Sequence, residues 1–317
     1  MRRALVTVFA IAAMLCAGAP ASAQSYPSRT VRLLCWSSAG SPLDVMMRQV
    51  GRQLGELTGQ TFVVENRPGG EGAIAMATTL NSPADGYTIL STTSSMSFAM
   101  ATNHQHTPDE FLVLPALQAE PSAIAVRADS PFKTMKDLID ALRDRPDKLS
   151  VGGFSSAGFH QYVFYRLQQE AHVTSIWVPF KGGQDAALAV LGGHIDAAIM
   201  TPSSALAQIK SGDIRLLGIS SAERDRYVPN VPTFKEQGYN VVEAIWRGVM
   251  LKAGTPEPIV KSLMAALDKM KQTKEWQDFS ELNMQSAVTI SLEDMQAKVR
   301  AEVASDRAFL ESNGLVK

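Results

Sequence analysis

Cysteine is nearly absent from this chain: two in 317 residues, Cys16 and Cys35. Cys16 falls inside an N-terminal apolar run, so Cys35 alone belongs to the folded part. A lone cysteine excludes an internal disulfide, even in an oxidising compartment. It also excludes the paired Cys/His spacing of a structural zinc site. Histidine is sparse too, five in all. His104 and His106 form an H-x-H in a polar stretch, which reads as solvated rather than as a metal site. Charge of one sign is not in excess, with 30 basic against 31 acidic side chains. That balance excludes the basic footprint of a nucleic-acid or anionic-membrane binder. No apolar run reaches the roughly 20 residues that a bilayer-spanning helix needs. Low-complexity tracts and flexible linkers are missing as well, so two units, if present, are joined by ordered strands.

What is present starts with the N-terminus. Arg2 and Arg3 precede an apolar run over residues 5–16, and Ala21-Ser22-Ala23 offers small residues for cleavage. A charged start, a short apolar centre and an A-x-A-like site describe a secretory signal peptide over 1–23. Lipoprotein signals carry a small residue before the acylated cysteine, whereas Leu15 stands there, so ordinary cleavage near Ala23 and export to the periplasm are expected. Losing the leader removes two arginines and leaves the mature chain slightly acidic. Its length allows two domains, each with a core.

Strand-like and helix-like segments alternate along the mature chain. Short apolar runs at 30–35, 62–65, 88–92, 123–127, 149–152, 176–178, 197–200 and 216–219 read as strands. Helical patterns at 42–57, 135–143, 161–169, 184–191 and 203–210 fall between them. Such alternation predicts an α/β fold with mostly parallel sheets. Beyond residue 250 two longer helical patterns follow, 256–270 and 292–310, the second opened by Ser291 as N-cap.

An internal echo stands out. Trp36-Ser37-Ser38-Ala39-Gly40 recurs as Phe154-Ser155-Ser156-Ala157-Gly158, each between a short strand and an amphipathic helix, with Arg48 and Arg166 equally spaced beyond. Loops of this kind expose unpaired N–H groups at the positive end of a helix and bind carboxylate without a cationic side chain. Alanine and glycine let the backbone approach a ligand, and serine hydroxyls add donors. Ligands of α/β sheets lie beyond the carboxyl ends of the strands. Two facing copies could therefore grip both ends of a short dicarboxylate. Helix capping competes with that role: Ser41 as cap, Pro42 at the first helical position and Asp44 at the third approach a capping box. For Asp44 both capping and ligand contact stand open. Phe159 and His160 follow the second copy, which is the weaker cap.

Further candidates flank these loops. Thr92, Thr93, Ser94 and Ser95 end a strand and offer hydroxyls, as does Thr201 at the end of the 197–200 run. Lys181 and Gly182 open another helix and resemble an anion loop, without the spacing of a P-loop. Trp246 and Arg247 offer an aromatic wall beside a guanidinium, a carboxylate clamp unless the arginine simply sits in a surface turn. Ser156 and His160 raise a serine hydrolase as a rival reading, although no partner carboxylate is evident.

Over almost the whole mature chain the sequence resembles the tripartite tricarboxylate transporter solute receptors, also called the Bug family. The resemblance rests on Tyr26-Pro27-Ser28-Arg29, the first loop ending in Asp44, Val63-Val64-Glu65-Asn66-Arg67-Pro68-Gly69-Gly70 and Pro83-Ala84-Asp85-Gly86-Tyr87-Thr88. It continues with Val178-Pro179-Phe180-Lys181-Gly182, Leu191-Gly192-Gly193-His194-Ile195-Asp196, Val231-Pro232-Thr233 and Ala253-Gly254-Thr255-Pro256. It implies a two-lobed type II periplasmic-binding fold with a ligand cleft. It also implies a non-enzymatic receptor that hands a carboxylate to membrane transporter subunits, with loops 37–44 and 155–160 holding the ligand mainly through backbone amides and water. Family members commonly carry Pro-Phe-Pro-Ala-Gly-Gly in the first loop; Trp36 and the extra hydroxyls depart from that and suit a dicarboxylate, including an aromatic one. The lobes are expected at 24–123, 124–242 and, on return to the first lobe, 243–317, with hinges at 120–125 and 242–246. A monomer without cofactor, metal or nucleic acid is expected; a ligand-sensing module for a membrane sensor kinase is the alternative.

Overall fold

The computed structural model describes residues 26–103, 106–156 and 158–316. The signal-peptide reading on 1–23, His104 and Ala157 lie outside the described residues.

Two mixed sheets organise the chain. In the first, β1 (Val31–Cys35) pairs in parallel with β2 (Phe62–Asn66) and β3 (Thr88–Thr93). Antiparallel β11 (Ala244–Lys252) joins β3, and β4 (Phe111–Val113), β5 (Gln118–Pro121) and β12 (Ser286–Ala287) complete this sheet. In the second, β7 (Ser150–Phe154) lies in parallel between β8 (Ile176–Phe180) and β9 (Ala197–Met200). Antiparallel β6 (Ala123–Arg127) and β10 (Ile214–Ile219) extend it. The expectation of mostly parallel sheets is thus corrected, because each crossing between lobes delivers its strand antiparallel. The two orders correspond: β2-β1-β3-β11-β5 in one lobe and β8-β7-β9-β6-β10 in the other. By that correspondence β1 and β7, the strands that lead into the echoed loops, occupy equivalent places.

Helices cover both sheets. The helix α1 (Pro42–Thr58) starts on Ser41, whose side chain accepts the Asp44 N–H, and stops at Gly59, held left-handed at φ 71°. Next come α2 (Ala73–Leu80) and α3 (Ser94–Asn103) in the first lobe, then α4 (Met135–Asp144), α5 (Phe159–Ala171), α6 (Gly183–Leu191) and α7 (Leu206–Ser211) in the second. The C-terminal part adds α8 (Glu257–Gln272), α9 (Lys274–Leu282) and α10 (Leu292–Ser312). Ser291 caps α10 as its sequence suggests, accepting the Asp294 N–H at 3.0 Å. The helix pattern at 203–210 is broken: a 3₁₀ turn over Pro202–Ala205 precedes α7. The helix α3 went unread because its residues are buried on nearly every side, which leaves no polar face to give a 3.6-residue period.

The chain changes sheet at Ser122, between β5 and β6, and returns between β10 and β11. These crossings are tied together by hydrogen bonds. Ser122 N–H donates to Ser220 Oγ at 2.8 Å, and Ser220 N–H to the Ser122 carbonyl at 2.8 Å. Ser220 Oγ in turn donates to the Glu243 carbonyl at 2.6 Å. The helix α10 joins both cores, with Met295 and Val299 in the first and Leu310 in the second.

Candidate ligand-binding site

Loops at the carboxyl ends of β1, β3, β7, β8 and β9 meet between the lobes. They line two open pockets, an inner one of about 70 Å³ and an outer one of about 460 Å³. Trp36, Ser37, Phe154 and Lys181 line both, so the two chambers are continuous. Trp36 from the first lobe and Phe154 from the second stand at the junction, ring centroids 6.0 Å apart. The lobes also touch where Gln184 Nε2 donates to the Gly40 carbonyl at 3.0 Å.

The first echoed loop satisfies itself. Gly40 takes φ 80°, a left-handed turn that favours glycine. Its N–H donates to Asp44 Oδ2 at 2.9 Å, while Asn66 Nδ2 donates to Asp44 Oδ1 at 2.8 Å. Arg48 Nε reaches Asp44 Oδ2 at 3.0 Å. Asp44 is 2 % exposed and lines neither chamber. Burial pushes its carboxyl pKa up, but the hydrogen bonds from Arg48, Gly40 and Asn66 outweigh that and hold it below the ordinary range. Asp44 therefore braces its loop, reaching back one residue further than a capping box does. Ser37 Oγ donates to Ser41 Oγ at 2.7 Å, which ties in the cap.

The second loop is built differently. Its left-handed residue is Ser155, at φ 64°, whose N–H donates to the Phe180 carbonyl at 2.9 Å and whose carbonyl accepts Trp177 Nε1 at 3.0 Å. Gly158, extended at φ −118°, is the N-cap of α5 and supplies no side chain. No acidic residue occupies the first turn of α5, whereas α1 carries Asp44 there and α6 carries Asp185. Of α1, α5 and α6, only α5 lacks an acidic residue in its first turn; α3, which also begins at the cleft, lacks one too, but there Thr93 Oγ1 accepts the Ser95 N–H at 3.1 Å. His160, in that first turn, is 5 % exposed and lines the inner chamber, and both its ring nitrogens lack a hydrogen-bond partner. Burial above all, with the neighbouring Arg247 charge, drives its pKa down to about 3, so the ring is neutral. Trp36 likewise has its indole N–H buried and unpartnered.

Arg247 lies not in a turn but in β11, 4 % exposed, with its guanidinium at the inner chamber. Its NH1 donates to Glu120 Oε2 at 3.0 Å and to Gln285 Oε1 at 2.6 Å. Glu120, fully buried, also accepts the N–H and hydroxyl of Ser203 from the second lobe, at 2.6 and 2.7 Å. A charged cluster thus spans the cleft floor beside the crossing at Ser122.

Among the expected residues, the inner chamber gathers Trp36, Ser37, Ser41, Thr93, Phe154, His160, Lys181, Gly182, Thr201 and Arg247, and the outer chamber adds Ser38 and Ser155. Others point elsewhere. Strand alternation sends Trp246 away from Arg247, into the first core, where its Nε1 donates to Glu302 Oε2 at 3.0 Å. Ser94 accepts the Trp246 N–H at 3.1 Å, Thr92 sits in the β3–β11 ladder opposite Gly248, and Phe159 packs into the second core. Ala39 and Ser156 are exposed outside both chambers, and neither Gly40 nor Gly158 lines them. Ser95 joins the inner chamber as expected, and Gln184 and Ser204 join it unexpectedly. Gln184 was within reach of sequence reasoning, since Lys181-Gly182-Gly183 already marked a helix start, whereas Glu120 depends on pairing over long separations.

The hydrolase alternative needs Ser156 bonded to His160, yet Ser156 is exposed and the buried imidazole accepts and donates nothing. Among the described residues no cluster of His, Cys, Asp or Glu could hold a metal ion.

Residues 46–315 match the model of the tripartite tricarboxylate transporter family receptor. BugT of Bordetella pertussis is 30 % identical over 281 residues, covering 86 % of each chain. A UPF0065 protein from the gbd 5′ region of Cupriavidus necator is 29 % identical over 315 residues, covering 97 % of this chain and 95 % of the other. The periplasmic binding protein BugD superposes with a TM-score of 0.83 at 26 % identity, over 92 % of this chain and 100 % of BugD. Rpa4515 of R. palustris, solved with adipate, gives 0.83 at 27 % identity over 91 % and 98 %. The fold is therefore the two-lobed periplasmic-binding type, and the chain belongs to the tripartite tricarboxylate transporter receptor family, whose members bind solutes and are not enzymes.

Proposed function

We propose that this protein, exported to the periplasm through the Arg2/Arg3 leader, captures a small carboxylate between its lobes and presents it to the membrane subunits of a tripartite tricarboxylate-type transporter. One observation carries the reading. The N-terminus of α5, without capping side chain or acidic residue, opens on an interlobe chamber where His160 and Trp36 hold buried, unpartnered polar atoms. An unpaired buried polar group costs about 1–3 kcal/mol, which a ligand that pairs it recovers. A carboxylate meets the requirement, since it accepts from backbone N–H groups, from an imidazole and from a guanidinium alike. Support from relatives is consistent with this: Rpa4515 was solved with adipate, a dicarboxylate. In this cleft a second carboxylate would meet exposed Lys181 at the junction of the chambers.

Ligand-stripped protein titrated with mono- and dicarboxylates tests the reading. A ligand that binds the folded state alone, present at 100 times its Kd, adds about 2.7 kcal/mol of stability and raises the melting temperature. If no carboxylate shifts the transition, carboxylate capture is wrong.

A further inference from the structure

The geometry points to an aryl carboxylate as the ligand, with His160 anchoring its carboxylate and Trp36 and Phe154 selecting its ring. This rests on carboxylate capture as proposed above and narrows the class.

The cleft offers one buried seat for a carboxylate, not two. Loop 37–44 uses its own Asp44 to occupy the Gly40 N–H and offset the α1 dipole, α6 has Asp185 in its first turn, and α3, which has no acid there, is capped by Thr93 Oγ1 accepting the Ser95 N–H. The start of α5 has neither cap nor acid, and His160 beside it is buried without a partner. Charge agrees with a single seat: Glu120 answers Arg247, which leaves Lys181 as the one unbalanced charge among the described residues lining the chambers.

Size then separates head from body. At about 70 Å³ the inner chamber is much the smaller of the two, and beside the start of α5 and His160 it takes the carboxylate group. The rest must lie in the outer chamber of about 460 Å³, whose walls include Trp36, Phe154, Phe180 and Pro68. Aromatic walls prefer a flat ring, which they meet edge-to-face or offset-stacked with a gain beyond simple burial. A short aliphatic dicarboxylate would leave those faces unfilled, its second charge meeting only the exposed Lys181.

Calorimetric titration of ligand-stripped protein with benzoate, cyclohexanecarboxylate, succinate and adipate tests the selection. Benzoate is expected to bind at least tenfold more tightly than either aliphatic dicarboxylate, and more tightly than its saturated counterpart. Equal or tighter binding of succinate or adipate overturns the aryl assignment and leaves carboxylate capture standing. No binding by any of the four overturns both. His160→Asn is expected to weaken all bound carboxylates at least tenfold. Phe154→Leu and Trp36→Leu are expected to lower the benzoate-to-succinate ratio at least fivefold. If the leucine variants keep their melting temperatures and the wild-type ratio, Trp36 and Phe154 play no part in selection. Should Trp36→Leu fail to fold, the half-buried Phe154 variant and the wild-type ratio still decide the outcome.

Discussion

The two lobes share a strand order and an echoed loop, yet they treat that loop in opposite ways. In the first lobe the chain supplies its own carboxylate: Asp44 accepts from Gly40, Arg48 and Asn66 inside a closed network. In the second lobe the helix end carries no capping side chain on Gly158 and no acid in its first turn, and His160 waits beside it without a partner. The left-handed residue differs too, Gly40 in one and Ser155 in the other. Equal letters at equal places in the topology therefore mark common architecture, not common chemistry. A symmetric grip on both ends of a dicarboxylate follows from the letters alone and loses its footing once Asp44 occupies one of the two seats.

The largest expected effect lies where the lobes differ in their cores. The pair β5–β11 carries the buried Glu120–Arg247 cluster, whereas the equivalent β10–β6 pair matches Leu216 with Ala125. Removing one partner of a buried ion pair strands the other charge, at a cost of about 3–5 kcal/mol. Glu120→Ala should lower the unfolding free energy by that amount in denaturant titration and should loosen the contact through Ser203. Leu216→Ala, a truncation without stranded charge, is expected to cost about 2–5 kcal/mol with no effect on interlobe contact. If Glu120→Ala is neutral, the cluster is not a lobe connection.

Buried titratable groups make a second contrast, in the sign of their pH dependence. His160 has a folded pKa of about 3 against 6.5 in the unfolded chain. Above pH 6.5 its neutral form is common to both states. As pH falls below that, only the unfolded chain takes the proton, and stability declines by up to about 1.4 kcal/mol per pH unit. Asp306, on α10, is pushed up to about 7 from 3.8, by burial first, against the lowering hydrogen bond from Ser97 and with raising charges from Glu302 and Glu243. There the folded state keeps the proton that the unfolded chain releases, so stability falls as pH rises from 3.8 to 7. The slopes oppose each other between pH 3.8 and 6.5. His160→Phe should expose the Asp306 slope and Asp306→Asn the His160 slope, read as melting temperature against pH. Identical profiles in both variants would remove either group from the balance.

Much of the architecture was legible in the residues, and the losses have physical causes. Helix starts could be read where caps are local, as at Ser41 and Ser291. The buried α3 could not, because a helix covered on all sides loses its period. Nor could the antiparallel pairing of β5 with β11, which sets Glu120 opposite the distant Ile245 and brings the Glu120 and Arg247 side chains together. At the site, the loops were placed by their strand–loop–helix context. The direction of each side chain was not: Trp246 and Arg247 are neighbours in sequence and face opposite sides of β11. Whether Asp44 served ligand or cap depended on Asn66 and Gly40 meeting it in space, which a local reading cannot supply.

Paired glycine substitutions separate the loops by readout. A side chain at Gly158 would place its Cβ 3.2 Å from Ser155 Cβ and shift the start of α5. Gly158→Val should weaken benzoate binding about tenfold, equivalent to about 1.4 kcal/mol. At Gly40 a Cβ meets nothing within 4 Å, but φ 80° is strained for any L side chain, at about 1–2 kcal/mol. Gly40→Val should therefore lower the melting temperature while leaving affinity within about threefold, a difference of under about 0.7 kcal/mol. The reverse pattern would return the first loop to the ligand.

The smallest effect is the sharpest probe of the asymmetry. Asp44→Asn keeps the shape of the loop brace but removes its charge. The amide can still accept from Gly40, so the cost should be about 1 kcal/mol, of the order of a lost helix cap. With that charge gone, the α1 dipole and Arg48 are no longer offset beside the cleft. A dicarboxylate would then find a second favourable end, whereas benzoate would gain nothing from it. Succinate affinity is expected to rise several-fold in Asp44→Asn with benzoate unchanged, narrowing their ratio as measured by calorimetry. A ratio that stays fixed would mean that the first loop withholds its seat through backbone geometry, with the Asp44 charge playing no part in the choice.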